Sequence, residues 1–123
     1  MNVFDASALL AFVQDEPGAE LVETALNEGG SCGAANWSEV AQKVLQRGAS
    51  WNLVQGLLLD YPLTVEPVTS TDAEEAARLW TSGTSLSLGD RLCLALADRL
   101  EATVWTADQA WGSSAQIRQV RGT

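Results

Sequence analysis

Four acidic residues stand where they could share chemistry: Asp5, Glu39, Asp90 and Asp108. The stretch LSLGDRLCLALADRLEATVWTADQAW, residues 86–111, carries two of them. It opens on a turn at Ser87 and Gly89, continues as an apolar helix to about Ala102, and closes on a strand at Thr103–Thr106. On a helical wheel, Arg91, Ala95, Asp98 and Arg99 take one side, while Leu92, Cys93, Leu94, Leu96, Ala97 and Leu100 take the other. Asp90 falls inside the apolar arc. A carboxylate aimed at the buried side needs a cation or hydrogen-bond donors, because burying its charge alone is costly. Asp108, just past the strand, is placed to share such a site. Helix capping accounts for Asp90 equally well when it is taken alone, so the decision rests on whether other acids arrive at the same place.

Asn2–Asp5 reads as a short strand, and Ala6–Val13 as a helix that Gln14–Gly18 terminates. Asp5 therefore sits at the carboxyl end of the first strand, the edge at which open α/β sheets bind ligands. Capping again competes as an explanation for Asp5 and Ser7. Glu39 lies early in a helix over Asn36–Gln46, with Asn36 or Ser38 as its cap. The competing account of Glu39 is an exposed ion pair with Lys43, its i+4 neighbour, worth a few tenths of a kcal/mol.

The elements that must position these acids alternate. A helix at Glu20–Asn27 and a short strand at Ser31–Ala34 precede Glu39. A helix over Trp51–Asp60 ends at Tyr61-Pro62, and Leu63–Val68 is a strand that Pro67 assigns to a sheet edge. Ser70-Thr71-Asp72 caps a helix running to Trp80, with Glu74 and Glu75 on its outer side. Ile117–Val120 is the last strand and Arg121–Thr123 a frayed end. Strands alternating with helices predict an α/β fold: one domain over residues 1–123, with a mainly parallel central sheet covered by helices on both faces.

Composition narrows the chemistry. The chain has no histidine among its 123 residues, which excludes histidine acid–base nucleases, Ser-His and Cys-His hydrolases, and histidine zinc sites within it. The formal charge of −9 and only seven basic residues argue against a sequence-independent nucleic-acid binder. They leave room for a phosphodiester substrate whose charge is neutralised locally by metal. Four carboxylates, three of them beside predicted strand ends, fit an all-oxygen site for Mg²⁺ or Mn²⁺, which can orient a water and stabilise charge developing on a phosphodiester. Cys32 and Cys93 read as small core residues of a reduced, cytoplasmic protein. Ala6–Val13 is far short of the ~20 apolar residues that span a bilayer, and Asp5 stands where a signal peptide would be positively charged, so neither membrane nor targeting segment is expected. The helix at Trp51–Leu59 carries more apolar residues than one buried face needs, which predicts a partner surface.

These same residues carry a family resemblance. VFDASALLAFV at 3–13, Asn36-Trp37-Ser38-Glu39-Val40, LSLGDRLCLALA at 86–97 and TADQAW at 106–111 resemble the four acidic motifs of PIN-domain ribonucleases. Within that family, the wording and short length are similar to the VapC-type toxins of bacterial toxin–antitoxin pairs. The similarity runs from Asn2 to about Trp111, and four motifs in the right order are specific where one would be weak. The resemblance implies a PIN-like three-layer α/β/α fold and a metal-dependent endoribonuclease. It further implies a cytoplasmic homodimer acting on RNA and silenced by a cognate antitoxin protein. Asp5, Glu39, Asp90 and Asp108 match the family's metal-binding, catalytic acids, and Ser7 and Thr106 match hydroxyls beside them. All four acidic positions are filled. Two other classes compete: a catalytically inactive PIN-like module that holds a basic protein in its acidic cleft, and a phosphate-handling α/β enzyme. The second wants a lysine near a later strand end, and the sole lysine, Lys43, sits mid-helix.

Overall fold

The computed structural model describes residues 1–121. Of the three residues expected to fray, Gly122 and Thr123 lie outside the described residues. Arg121 does not fray: its guanidinium donates to Glu16 Oε1 at 2.8 Å and to Pro17 O at 3.2 Å.

Among the described residues, five short strands form one sheet: β1 (Asn2–Phe4), β2 (Gly30–Gly33), β3 (Leu63–Glu66), β4 (Thr103–Thr106) and β5 (Ile117–Gln119). Their order is β3-β2-β1-β4-β5, with every neighbouring pair parallel. The helices are α1 (Ala6–Val13), α2 (Ala19–Glu28), α3 (Ala34–Gln46), α4 (Trp51–Leu59), α5 (Ser70–Arg78) and α6 (Leu88–Leu100). The chain lays β2 and β3 successively to one side of β1, then returns to place β4 on its other side. This reversal of direction between β1 and β4 opens a crevice at their carboxyl ends. As Pro67 foretold, β3 is an edge strand.

The layers follow from the alternation of side chains along a strand. Val3 packs with Cys93, Leu96 and Ala97 of α6 and with Val104, while Phe4 packs with Ala8, Leu9, Val22, Leu26 and Val40 of α1, α2 and α3. The register pairs Val3 with Val104 and Phe4 with Trp105, so each face meets its own helices and the architecture is α/β/α. Phe4, fully buried, contributes about 2–3 kcal/mol through its burial.

Several local expectations need correction. The side of α6 holding Arg91, Ala95, Asp98 and Arg99 is covered by α5 over part of its width: Ala95 is buried and Arg91 is half-buried and donates to Ala76 O at 2.8 Å, while Asp98 and Arg99 stay exposed. Arg99 makes a two-pronged pair with Asp72, at 2.9 and 3.0 Å. The cap of α5 is Thr69, in a reciprocal capping box with Asp72, one residue before the expected start. Helix α3 begins at Ala34 with Gly33 as its N-cap, so neither Asn36 nor Ser38 caps it. Helix α6 stops at Leu100, where Glu101 takes a left-handed backbone conformation.

The apolar surplus of α4 is narrower than expected. Leu58 is fully buried, and Trp51 packs edge-on against Trp37, with centroids 5.2 Å apart. Leu53, Leu57 and Leu59 remain exposed, Leu53 by 77%. No helix among the described residues is long and apolar enough to cross a membrane.

Candidate metal centre

Each acid reaches the carboxyl edge of the sheet on a different element. Asp5 follows β1 and caps α1, with its Oδ1 accepting from the Ala8 N–H at 2.8 Å. Asp90 lies in the first turn of α6, in a capping box: its Oδ2 accepts from the Ser87 N–H at 3.0 Å, and Ser87 Oγ accepts from the Asp90 N–H at 3.1 Å. Asp108 follows β4 and caps a 3₁₀ turn at Gln109–Trp111, accepting from the Ala110 N–H at 2.9 Å. Glu39 is one turn into α3. All four carboxylates line one cavity of about 190 Å³, together with Ser7, Asn36 and Lys43. The capping account of the three aspartates is therefore true of their local bonds. It does not compete with their convergence.

The two hydroxyls singled out beside the acids both touch Asp5. Ser7 Oγ donates to the Asp5 carboxylate, 2.8 Å from Oδ1 and 2.9 Å from Oδ2, and accepts from the Ala107 N–H at 2.9 Å. Thr106 Oγ1 donates to Asp5 Oδ2 at 2.5 Å and accepts from the Asp108 N–H at 3.0 Å. Asp5 is thus tied to the end of β4 through two relays. Burial pushes its carboxyl up to about 6, against the hydrogen bonds from Thr106, Ala8 and Ser7 that favour the ionised form. The charge of Asp90 adds the smallest upward push, so desolvation matters more here than repulsion between the acids.

Two residues of this site went unrecognised in the sequence. Asn36, only 2% exposed, donates from Nδ2 to Glu39 Oε1 at 2.9 Å and to Gly89 O at 3.1 Å. It bridges α3 to the start of α6 and aims Glu39 at that junction. Gly89 is what makes the approach possible, because a Cβ there would stand 2.6 Å from Glu39 Oε1. The signal for Asn36 was its i−3 position relative to Glu39, which places both on one face. The competing account of Glu39 fails: a Glu39–Lys43 pair is absent from the ion pairs of the described residues. Glu39 is engaged by Asn36 instead.

The donor set can be tested against a metal. Carboxylate, hydroxyl and amide oxygens, with no histidine in the chain, suit a hard cation such as Mg²⁺ or Mn²⁺. Among the described residues no three acidic or cysteine side chains stand close enough to share an ion in the positions shown. Mg²⁺ commonly keeps several waters and takes only one or two carboxylates directly, and the cavity has room for such a hydrated ion. The residues fit that mode of binding.

Residues 3–114 match the sequence model of the PIN domain. The chain belongs to the PIN domain family. No curated protein matches the sequence. Among solved structures, this PIN domain is similar to a chain described as a toxin-antitoxin complex from Klebsiella pneumoniae, with a TM-score of 0.76 and 15% identity. The likeness covers 100% of both chains. At that identity it speaks for the fold.

Proposed function

We propose that this PIN domain, acting as one unit over residues 1–123, is a Mg²⁺- or Mn²⁺-dependent endoribonuclease that hydrolyses RNA phosphodiester bonds. The observation that carries this reading is the convergence of Asp5, Glu39, Asp90 and Asp108 on one cavity at the crevice between β1 and β4. Family membership supports it independently. The four carboxylates would hold a hydrated ion, one or two of them directly and the others through its waters. When bound, it supplies a lowered pKa for water and positive charge against the developing phosphate charge. The chain's own residues do the positioning. Ser7 and Thr106 fix both oxygens of Asp5, and Asn36 fixes Glu39, so these ligands are oriented before substrate arrives.

The fold likeness to a chain of a toxin-antitoxin complex supports a VapC-type role, a toxin inhibited by a cognate antitoxin, and the resemblance of the four motifs extends this to a homodimer in the cytoplasm. The exposed Leu53, Leu57 and Leu59 of α4 offer apolar area for such a partner.

The test is to incubate purified, antitoxin-free protein with total RNA, with Mn²⁺ or with a chelator, and to map new 5′ ends. Discrete cleavage in the Mn²⁺ arm alone is expected. RNA left intact in both arms would overturn the nuclease reading and favour an inactive module that uses the acidic cavity to hold a basic protein.

A further inference from the structure

The chain has seven basic residues, and five of them are engaged by the fold. Arg78 pairs with Glu74 and Glu75, Arg99 with Asp72 and Arg121 with Glu16. Arg91 donates to Ala76 O, and Arg118 lies over the Trp105 ring, 5.4 Å from its centroid. Lys43 and Arg47 have no carboxylate or aromatic partner among the described residues.

Lys43 lies in the last turn of α3 and Arg47 is its C-cap residue, four positions on and still in right-handed helical backbone, so they share a face about 6 Å apart along its axis. That face begins with Asn36 and Glu39. A Glu four residues before a Lys is the favoured order for a helical ion pair, and the acid-lined cavity offers Lys43 further partners. The pair does not form because Asn36 holds Glu39 toward Gly89. Lys43 is thereby left lining the acidic cavity with its charge unmatched. Arg47 lines the adjoining hollow with Val13, Gln14 and Val44. Helix α1 contributes Leu10 to the first hollow and Val13 to the second, with Gln14 just beyond it, and α3 lines both, so the two follow one another along the α1–α3 junction, the second also bordered by Ala49 and by Val54 of α4.

We infer that Lys43 and Arg47 are the phosphate contacts of the RNA strand, which leaves the cleavage site along the trough between α1 and α3. This rests on the nuclease reading and names the substrate-positioning residues that it requires. In a chain of formal charge −9, two unpaired cations in file beside the acids give a polyanion a path that the rest of the surface does not.

The test measures binding of a fluorescently labelled single-stranded oligoribonucleotide over a salt series. Proteins carrying Lys43→Gln, Arg47→Gln or both are compared in an Asp90→Asn background, so that the probe is not consumed. Each single change should weaken binding about fivefold and lower the slope of log Kd against log salt by about 0.7, and the double change should lower it by about 1.4. Lys43→Arg should retain wild-type binding, and melting temperatures should stay unchanged, as these side chains are exposed. With Asp90 intact, Lys43→Gln should cleave the same sites as the wild type, with the same Mn²⁺ requirement but a higher KM. Unchanged affinity and slope in the double variant, beside a wild type that cleaves RNA, would overturn the phosphate assignment alone. A wild type that neither binds nor cleaves RNA would overturn the nuclease reading and this assignment with it.

Discussion

Replacing Asn36 with leucine keeps a side chain of similar shape in a site only 2% exposed and deletes both of its donors. Glu39 Oε1 loses a bond of 2.9 Å and Gly89 O one of 3.1 Å. A stranded neutral acceptor costs about 1 kcal/mol and a carboxylate about 2 kcal/mol. Glu39 is only half-buried, so water recovers part of its share, and about 2 kcal/mol is the expected total. For a chain of this length that lowers Tm by roughly 8 °C. The effect on the site should be larger. Released from Asn36, the Glu39 carboxylate lies one helical turn from Lys43 and gains the pairing it is now denied, which withdraws a ligand from the cavity. The Mn²⁺ concentration for half-maximal RNA cleavage should rise about tenfold, the usual order for losing a group that orients a ligand. Val22→Ala, in the core remote from the acids, is the control for instability: it should lower Tm comparably and leave the Mn²⁺ requirement unchanged. An Asn36→Leu protein that melts early yet keeps the wild-type Mn²⁺ requirement would refute the reasoning, because Asn36 would then merely support the fold.

Other expectations follow from the same geometry. Asp5→Asn or Asp90→Asn should abolish RNA cleavage and shrink the rise in Tm that Mn²⁺ gives the wild type, as differential scanning fluorimetry would record. A wild type whose Tm is indifferent to Mn²⁺ counts against the centre. Arg99→Met strands the buried Asp72, whose carboxyl Arg99 now holds below the usual range. A carboxyl so lowered adds stability above its unfolded pKa near 3.8 and loses it as pH falls through the folded value. The variant should therefore be less stable by about 2 kcal/mol at neutral pH, reduced from the full buried-pair cost because Arg99 is partly exposed, and the gap should narrow progressively as pH falls below about 4. Urea titrations at pH 7 and pH 3 would show it, and a gap independent of pH would exclude the pairing as its source. Leu53→Glu with Leu57→Glu should weaken antitoxin binding or reduce the dimer mass seen by light scattering, while cleavage persists. Unchanged assembly in both measurements would exclude α4 as the partner surface.

Asp5, Asp90 and Asp108 were legible as candidates in the sequence because each lies beside a boundary that local chemistry sets, whereas Glu39 lies inside α3 and was singled out by its motif. Pro17-Gly18, Gly29-Gly30 and Tyr61-Pro62 punctuate the chain, and once strands and helices alternate, Asp5 and Asp108 fall at strand ends. What stayed hidden depends on contacts between distant segments. Asn36 looked like a helix cap because asparagine favours that position, yet α3 starts at Ala34 with only backbone caps, and the amide is used 53 residues away at Gly89. The i,i+4 rule suggested a Glu39–Lys43 pair, and a bridge to another helix overrode it. The wheel for α6 set Arg91 and Arg99 on the side away from the apolar arc, and it cannot foresee that α5 lies across part of that side. The cover is itself polar: Asp72 occupies a buried place on α5 only because Arg99 meets it there.

The deeper difficulty in the sequence was that capping and metal binding ask for the same residue at the same place. The structure removes the conflict by dividing the work within three of the four carboxyl groups. Asp90 gives Oδ2 to the Ser87 N–H and Asp108 gives Oδ1 to the Ala110 N–H, and Glu39 gives Oε1 to Asn36. In each case the second oxygen has no protein donor among the described residues. Asp5 differs, with both oxygens bonded, and it is the most buried of the four. A capped carboxylate is held by one oxygen in a fixed orientation, which is what a ligand needs if it is not to lose rotamer freedom when an ion binds. Three carboxylates each held by one oxygen and converging on one crevice are therefore better evidence for a cation site than three loose acids would be. The same argument predicts which bond matters at α6. Ser87→Ala removes the hydroxyl that accepts from the Asp90 N–H, so it should lower Tm by a few degrees, in line with losing a cap worth about 1 kcal/mol. It should also raise the Mn²⁺ requirement, because the capping box loses the reciprocal bond that keeps the Ser87 N–H against Asp90 Oδ2. A Ser87→Ala protein that loses stability without any change in Mn²⁺ requirement would show that the cap and the ligand are independent, and that the division of labour within Asp90 is coincidental.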